Sequence, residues 1–259
     1  MTHIRSALLP VGLLVVCCAV WQVVVTAGQV PEYVLPAPLT VLGTMVADAP
    51  LLATESVPTL LAVLAGFGLA VLVALPVAVL MTYSDALHRA LYPLLIVAQV
   101  VPKVAVAPLF IIWFGFGQLP KVLMVALISF FPLIVDALVG LAATRPQSLV
   151  LVRSMGAGRW QAFWKVRWPW ALPSIFAGAK VAVTLAVVGA VVAEFVGSDD
   201  GLGVVLLDAR GNLDSAMAFA AIGWLTIAGL LLFGAVALAE RVLVPGGRRA
   251  ASAEAAGSL

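Results

Sequence analysis

Residues 142–171 read AATRPQSLVLVRSMGAGRWQAFWKVRWPWA. The stretch carries five basic residues, Arg145, Arg153, Arg159, Lys165 and Arg167, and no acid; four of the seven tryptophans are here. It lies between two long apolar runs, 122–141 and 172–196. A spanning helix needs about 20 mostly apolar residues to cross about 30 Å of hydrocarbon. Both runs meet that length, and a basic loop between spans belongs on the cytoplasmic side. This one stretch predicts an all-α polytopic membrane protein with the loop inside.

Working outward, four more runs qualify as spans: 8–27, 59–82, 91–114 and 216–243. The expectation is six transmembrane helices. Composition agrees, with 64% hydrophobic and only 10% charged residues, against roughly 25% charged in soluble domains. A chain so poor in charge cannot clothe a soluble surface, which excludes a soluble enzyme. Its apolar residues come in long runs rather than alternating, which argues against a barrel. The first run has too long a core and too weak an exit at Val25-Thr26-Ala27-Gly28 for a cleaved signal peptide. With the N-terminus in the cytoplasm, ten of the fourteen Lys and Arg residues fall inside, Lys121 and Arg210 fall outside, and Lys103 and Lys180 lie in spans. Asp199, Asp200, Asp208 and Asp214 share one outer loop. Both termini are therefore expected inside, in a bacterial cell membrane.

Several chemistries fall away. The net charge of +2, with basic residues beside apolar runs, makes nucleic acid a poor partner. Cys17 and Cys18 are adjacent and cannot staple distant segments. The two histidines, His3 and His88, supply neither a histidine metal site nor a catalytic triad. There is no GxxxxGK[ST] or GxGxxG motif, so nucleotide chemistry must come from another chain. No catalytic residue, metal site or cofactor is expected on this one. The chain divides into residues 1–58 (first span and outer loop), a core at 59–243 containing loop 142–171, and a small polar tail at 244–259 expected to be disordered. No internal repeat of the kind common in secondary transporters is present.

Within the loop, Trp160, Trp164 and Trp168 are spaced to share one helical face. A helix lying along lipid headgroups would use such a face, with Arg159, Lys165 and Arg167 reaching for phosphate. The other reading is a docking element. Gly156 and Gly158 in Arg153-Ser154-Met155-Gly156-Ala157-Gly158 allow a tight turn between two short helices, which suits contact with a cytoplasmic partner.

The stretch Arg153-Ser154-Met155-Gly156-Ala157-Gly158-Arg159-Trp160-Gln161, with Val166, Pro169 and Leu172-Pro173, resembles the signature loop of ABC-importer permeases. That loop reads EAA, three residues, G, nine residues, I, one residue, LP. Gly156 matches the glycine, Val166 stands for the isoleucine and Pro169 for the proline. The triplet falls on Val150-Leu151-Val152, which leaves no glutamate for an acidic contact, and Trp168 replaces the leucine of LP. The likeness runs over roughly 35–243. It includes Leu35-Pro36-Ala37-Pro38, Gly66-Phe67, Pro102-Lys103-Val104-Ala105-Val106-Ala107-Pro108-Leu109, Trp113-Phe114-Gly115-Phe116-Gly117, Phe131-Pro132, Val192-Ala193-Glu194 and Gly201-Leu202-Gly203. An arginine often found early in span two is Ala62 here. These segments look most like the nitrate/sulfonate/taurine branch, with Pro102-Lys103 similar to permeases for thiamine pyrimidine precursors or riboflavin.

The resemblance implies a type I ABC-importer permease fold and a homodimer forming the pathway. It also implies two ATPase subunits that bind ATP and Mg, and an extracytoplasmic solute-binding protein. A short helix near 149–156 would sit in a cleft of the ATPase. Arg153, Ser154, Met155, Gly156, Ala157, Arg159, Trp160 and Pro169 would form the coupling loop, with Arg153 and Arg159 meeting the ATPase surface. The other substrate option is an aliphatic sulfonate or another small anion.

Ionisable groups inside spans are costly and usually face protein or water. Lys103 lies twelve residues into span three between Pro102 and Pro108, prolines expected to break that helix. It either meets solute or pairs with a carbonyl or an acid. Asp136, Glu194, Gln99 and Ser129 complete the pathway candidates, with Thr184 a weaker one; Asp136 could pair with Lys180 or Lys103. Two rivals remain: an ATP-independent secondary transporter or channel, supported only by scattered charges, and a membrane enzyme, for which the inner loops offer no acid or histidine cluster.

Overall fold

The computed structural model describes residues 2–144 and 146–244, with the side chains of 2–8, 10 and 11 excluded. The tail expected to be disordered lies, from residue 245 on, outside the described residues. All regular structure among them is helical: α1 Thr2–Ala27, α2 Pro38–Ala47, α3 Ala49–Tyr83, α4 Asp85–Val100, α5 Ala107–Phe114, α6 Gln118–Ala142, α7 Pro146–Ser154, α8 Arg159–Ala162, α9 Trp168–Gly197, α10 Leu202–Gly211 and α11 Ser215–Leu243. A 3₁₀ turn, Lys103–Val106, precedes α5, and a π turn, Phe163–Arg167, joins α8 to α9.

Four stretches are long and apolar enough to cross a membrane: α3, α6, α11, and α8 through α9. The six expected crossings are not all seen as single helices. The third is broken: α4 and the segment Lys103–Phe114 meet at 88°. Pro102 has no N–H for the carbonyl four residues back, and Pro108 restarts a helix from its first turn. In the first, the described apolar portion, Gly12–Ala27, is shorter than a crossing.

Two compact units emerge. One comprises residues up to Pro58 together with Asp199–Ile227. In it Trp21 packs on Phe219 with ring centroids 5.7 Å apart, and Gln22 Oε1 accepts the Leu39 N–H at 3.2 Å. Glu55 accepts the Gly201 N–H at 2.7 Å, and Ser215 donates its hydroxyl to the Tyr33 carbonyl at 2.6 Å.

The other unit comprises Thr59–Ser198 and the described residues from Ala228 on. Its centre is the antiparallel pair α6 and α9, packed through small residues. A Cβ on Gly140 would lie 2.8 Å from the Ala171 carbonyl oxygen, and one on Gly178 would lie 2.7 Å from the Asp136 Cβ. Further along, Ser129 donates to the Ala182 carbonyl at 3.1 Å, and Gly189 abuts Val125. Ala70, Ala74, Ala78 and Met81 of α3 close the core over Leu133, Ile134 and Ala137. Gly66 of α3 sits so near α6 that a Cβ would come within 2.5 Å of Val125. Without a strong hydrophobic drive between helices in lipid, such small-residue contacts let van der Waals packing hold the bundle. Lys121, expected at the outer end of the fourth span, lies within the first turn of α6 and is 1% exposed.

Candidate functional site

Two places concentrate the polar and aromatic residues singled out above, and both belong to the α6–α9 unit. The first is an open cavity of about 630 Å³ lined by Gln99, Lys103, Val104, Ile128, Phe131, Pro132, Val135, Asp136 and Leu185. The broken span creates it. Where α4 ends, the carbonyl of Gln99 loses its helical partner, and the Lys103 ammonium donates to it at 2.9 Å. A lysine at a helix C-terminus is favoured there because it answers both the orphan carbonyl and the negative end of the helix dipole. The same ammonium lies 4.9 Å from the centroid of the Phe131 ring, a cation–π contact. Lys103 therefore does pair with a carbonyl, and it lines the cavity as well.

Asp136 reaches the cavity from the adjoining helix. It pairs with neither Lys180 nor Lys103: Lys180 is bridged to Glu240 of α11 at 3.1 Å. The structure thus gathers Gln99, Lys103 and Asp136 and leaves Ser129 and Glu194 outside the lining. Ser129 is buried between α6 and α9. Glu194 is 1% exposed and accepts the Thr59 hydroxyl at 2.7 Å, tying α9 to α3.

The second place is loop 142–171. Here α7 ends in a Schellman motif: the Ala157 N–H reaches the Val152 carbonyl at 3.1 Å and the Gly156 N–H the Arg153 carbonyl at 2.9 Å. The motif requires a left-handed residue, and Gly156 supplies it at φ +84°. Gln161 Oε1 then accepts the Gly158 N–H at 3.1 Å and starts α8. Two short helices about a glycine turn, as the sequence predicts, are present. Ser154 donates its hydroxyl to the Leu151 carbonyl at 2.8 Å, inside the first of them. Val150, Leu151, Met155 and Trp160 are 67%, 61%, 78% and 71% exposed.

At the base of the loop the helix is not a continuous α-helix. Pro169, at the start of α9, offers no N–H to the Lys165 carbonyl, and the preceding residues wind as a π turn. Trp164 and Trp168 are in ring contact at 5.6 Å, and Trp160 joins them through Phe163. The hub is Phe163, which the sequence reading passed over. It is buried and in ring contact with Tyr83 at 6.0 Å, Trp160 at 6.1 Å, Trp164 at 5.0 Å and Trp168 at 5.8 Å. The Arg167 guanidinium lies 5.2 Å over the Tyr83 ring. A smaller cavity of about 300 Å³ opens beside this cluster, lined by Val79, Leu80, Tyr83, Arg159, Trp160 and Phe163.

Residues 62–244 match the family model described as binding-protein-dependent transport system inner membrane component. The chain is 33% identical over 242 residues to the formylaminopyrimidine transport permease protein ThiX of Halalkalibacterium halodurans, covering 93% of this chain and 96% of that one. It is 38% identical to the riboflavin transport system permease protein RibX of Chloroflexus aurantiacus, over 91% and 88% of the two chains. To the taurine transport system permease protein TauC of Escherichia coli it is 31% identical, over 93% and 90%. The inward-facing MetNI methionine ABC transporter superposes with a TM-score of 0.68 at 19% identity, over 77% of this chain and 99% of that one, which shows a common fold.

Proposed function

The chain belongs to the family of binding-protein-dependent transport system inner membrane components, and from that premise we propose how it works. It is a multi-pass permease of an ABC importer. Two copies form the pathway, each crossing the membrane six times if the α4–α5 pair and α1 both serve as crossings, with both termini in the cytoplasm. ATP and Mg bind on a separate pair of ATPase subunits, and an extracytoplasmic binding protein delivers the solute. The solute is a small organic molecule of the class handled by the pyrimidine-precursor and riboflavin permeases it is similar to.

The observation that carries the coupling role is the exposed apolar surface of α7 and the following turn, on Val150, Leu151, Met155 and Trp160. Large apolar side chains clustered in solvent mark a contact surface. Val150 and Leu151 occupy the place where the family signature has an acid and a small residue, so docking here relies on apolar burial. The Phe163 hub joins that surface to the end of α3 and the start of α9, which lets a push on α7 move the bundle as a body. Arg153 and Arg159 flank it and face the ATPase.

A mild-detergent pull-down of the tagged chain from its native membranes tests the reading. A stoichiometric ATPase should co-purify, with hydrolysis stimulated by one binding protein. A chain that purifies alone and transports in liposomes without ATP would sink it. Gly156→Trp should uncouple hydrolysis from transport. Nothing lies within 4 Å of a Cβ there, so the cost is the left-handed backbone, about 1–2 kcal/mol, plus an indole thrust into the docking surface. Unchanged uptake would remove the docking role.

A further inference from the structure

Among the described residues, several charges deep in the apolar helices of the α6–α9 unit have partners in the chain. Lys180 has Glu240, Glu194 has Thr59, and Lys103 has the Gln99 carbonyl and the Phe131 ring. Asp136, within α6, makes no hydrogen bond or ion pair with a described residue, and its side chain borders the 630 Å³ cavity. A carboxylate within a span, with no partner among the described residues, is a costly arrangement that marks a functional site. It is also held in place. Gly178 of α9 leaves the space in which it sits, since a Cβ there would lie 2.9 Å from its Oδ2.

Resting on the importer reading above, we propose that Asp136 recognises an amino group of the transported solute, so that the cavity takes neutral aminated or zwitterionic molecules in preference to plain anions. The lining provides an acceptor in Asp136, a donor in the remaining protons of Lys103, and largely apolar walls. An amine satisfies the carboxylate, and an acceptor elsewhere on the same solute meets Lys103. A simple anion satisfies Lys103 while leaving Asp136 unpaired and adding a like charge to the same cavity. A buried polar group left unpaired is what makes such discrimination large.

The test uses the purified permease–ATPase complex without any binding protein, so that the selectivity measured is the membrane cavity's own. The probes are formylaminopyrimidine, taurine, and ethanesulfonate, which is taurine without its amine. Equilibrium binding should favour taurine over ethanesulfonate by tenfold or more. Asp136→Asn should weaken both aminated probes at least tenfold and close that gap, and Asp136→Glu should restore it in part. Ethanesulfonate binding as well as taurine, no binding of either aminated probe to the intact complex, or an Asp136→Asn complex with unchanged affinities would each overturn the proposal. So would an Asp136→Asn dimer that falls apart while Asp136→Glu holds together without restoring binding, because the carboxylate would then serve assembly. The ATPase content of the same preparation judges the importer reading separately: a chain lacking ATPase can still discriminate the probes, and a coupled complex can fail to.

Discussion

Lys103 sits where a helix has been broken, and the break is what makes its charge tolerable. The prolines on either side were visible in the sequence. That the ammonium would turn back to the Gln99 carbonyl and cover Phe131 was not, because those contacts depend on the 88° bend. Lys103→Met removes both the cap on α4 and the only lysine lining the cavity. Uptake should fall while the ATPase stays bound, read by co-purification and transport in one strain; normal uptake would make Lys103 a purely structural cap. The same contrast applies to the acids. Asp136 and Glu194 both read as intramembrane carboxylates, yet one borders open space and the other is sealed against Thr59. Hydropathy cannot separate them, since it carries no information on which side of a helix meets a neighbour.

At the scale of elements, the loop after α6 was the most legible part of the chain. Gly156 and Gly158 within a basic stretch foretold two short helices and a turn, and local hydrogen bonding is enough to build them. The regular tryptophan spacing assumes an unbroken α-helix, yet the three rings do gather on one side chain, Phe163. The π turn ahead of Pro169 alters that period and brings Phe163 inward. Phe163→Ala should cost about 3–5 kcal/mol, as for other buried aromatic deletions. The loss should appear as faster hydrogen exchange across residues 146–167 and weaker coupling of hydrolysis to transport. Exchange confined to its wild-type rate would show that the hub does not anchor the loop.

For the whole molecule, the distribution of charge predicts a topology that cysteine labelling can check. In a Cys17→Ser/Cys18→Ser background, a membrane-impermeant maleimide added outside should label Asn212→Cys and leave Ser148→Cys unlabelled until the membrane is opened. The opposite pattern would invert the orientation and place α7 away from any cytoplasmic ATPase. Both native cysteines are exposed and unpaired, so the background is needed for a clean signal.

Composition and run length by themselves determined that this chain is a helical membrane protein, since a bilayer demands long apolar segments with internally satisfied backbones. The glycines of the basic, tryptophan-rich loop determined its two short helices and their turn, because turns and caps are local. Tertiary structure alone decided which charges face one another. It paired Lys180 with Glu240, turned Lys103 back onto the Gln99 carbonyl, and left Asp136 against Gly178 at the edge of a cavity. Those outcomes depend on which helix faces meet, as where Gly178 of α9 lets α6 come close, a property of the packed helices that no single segment contains.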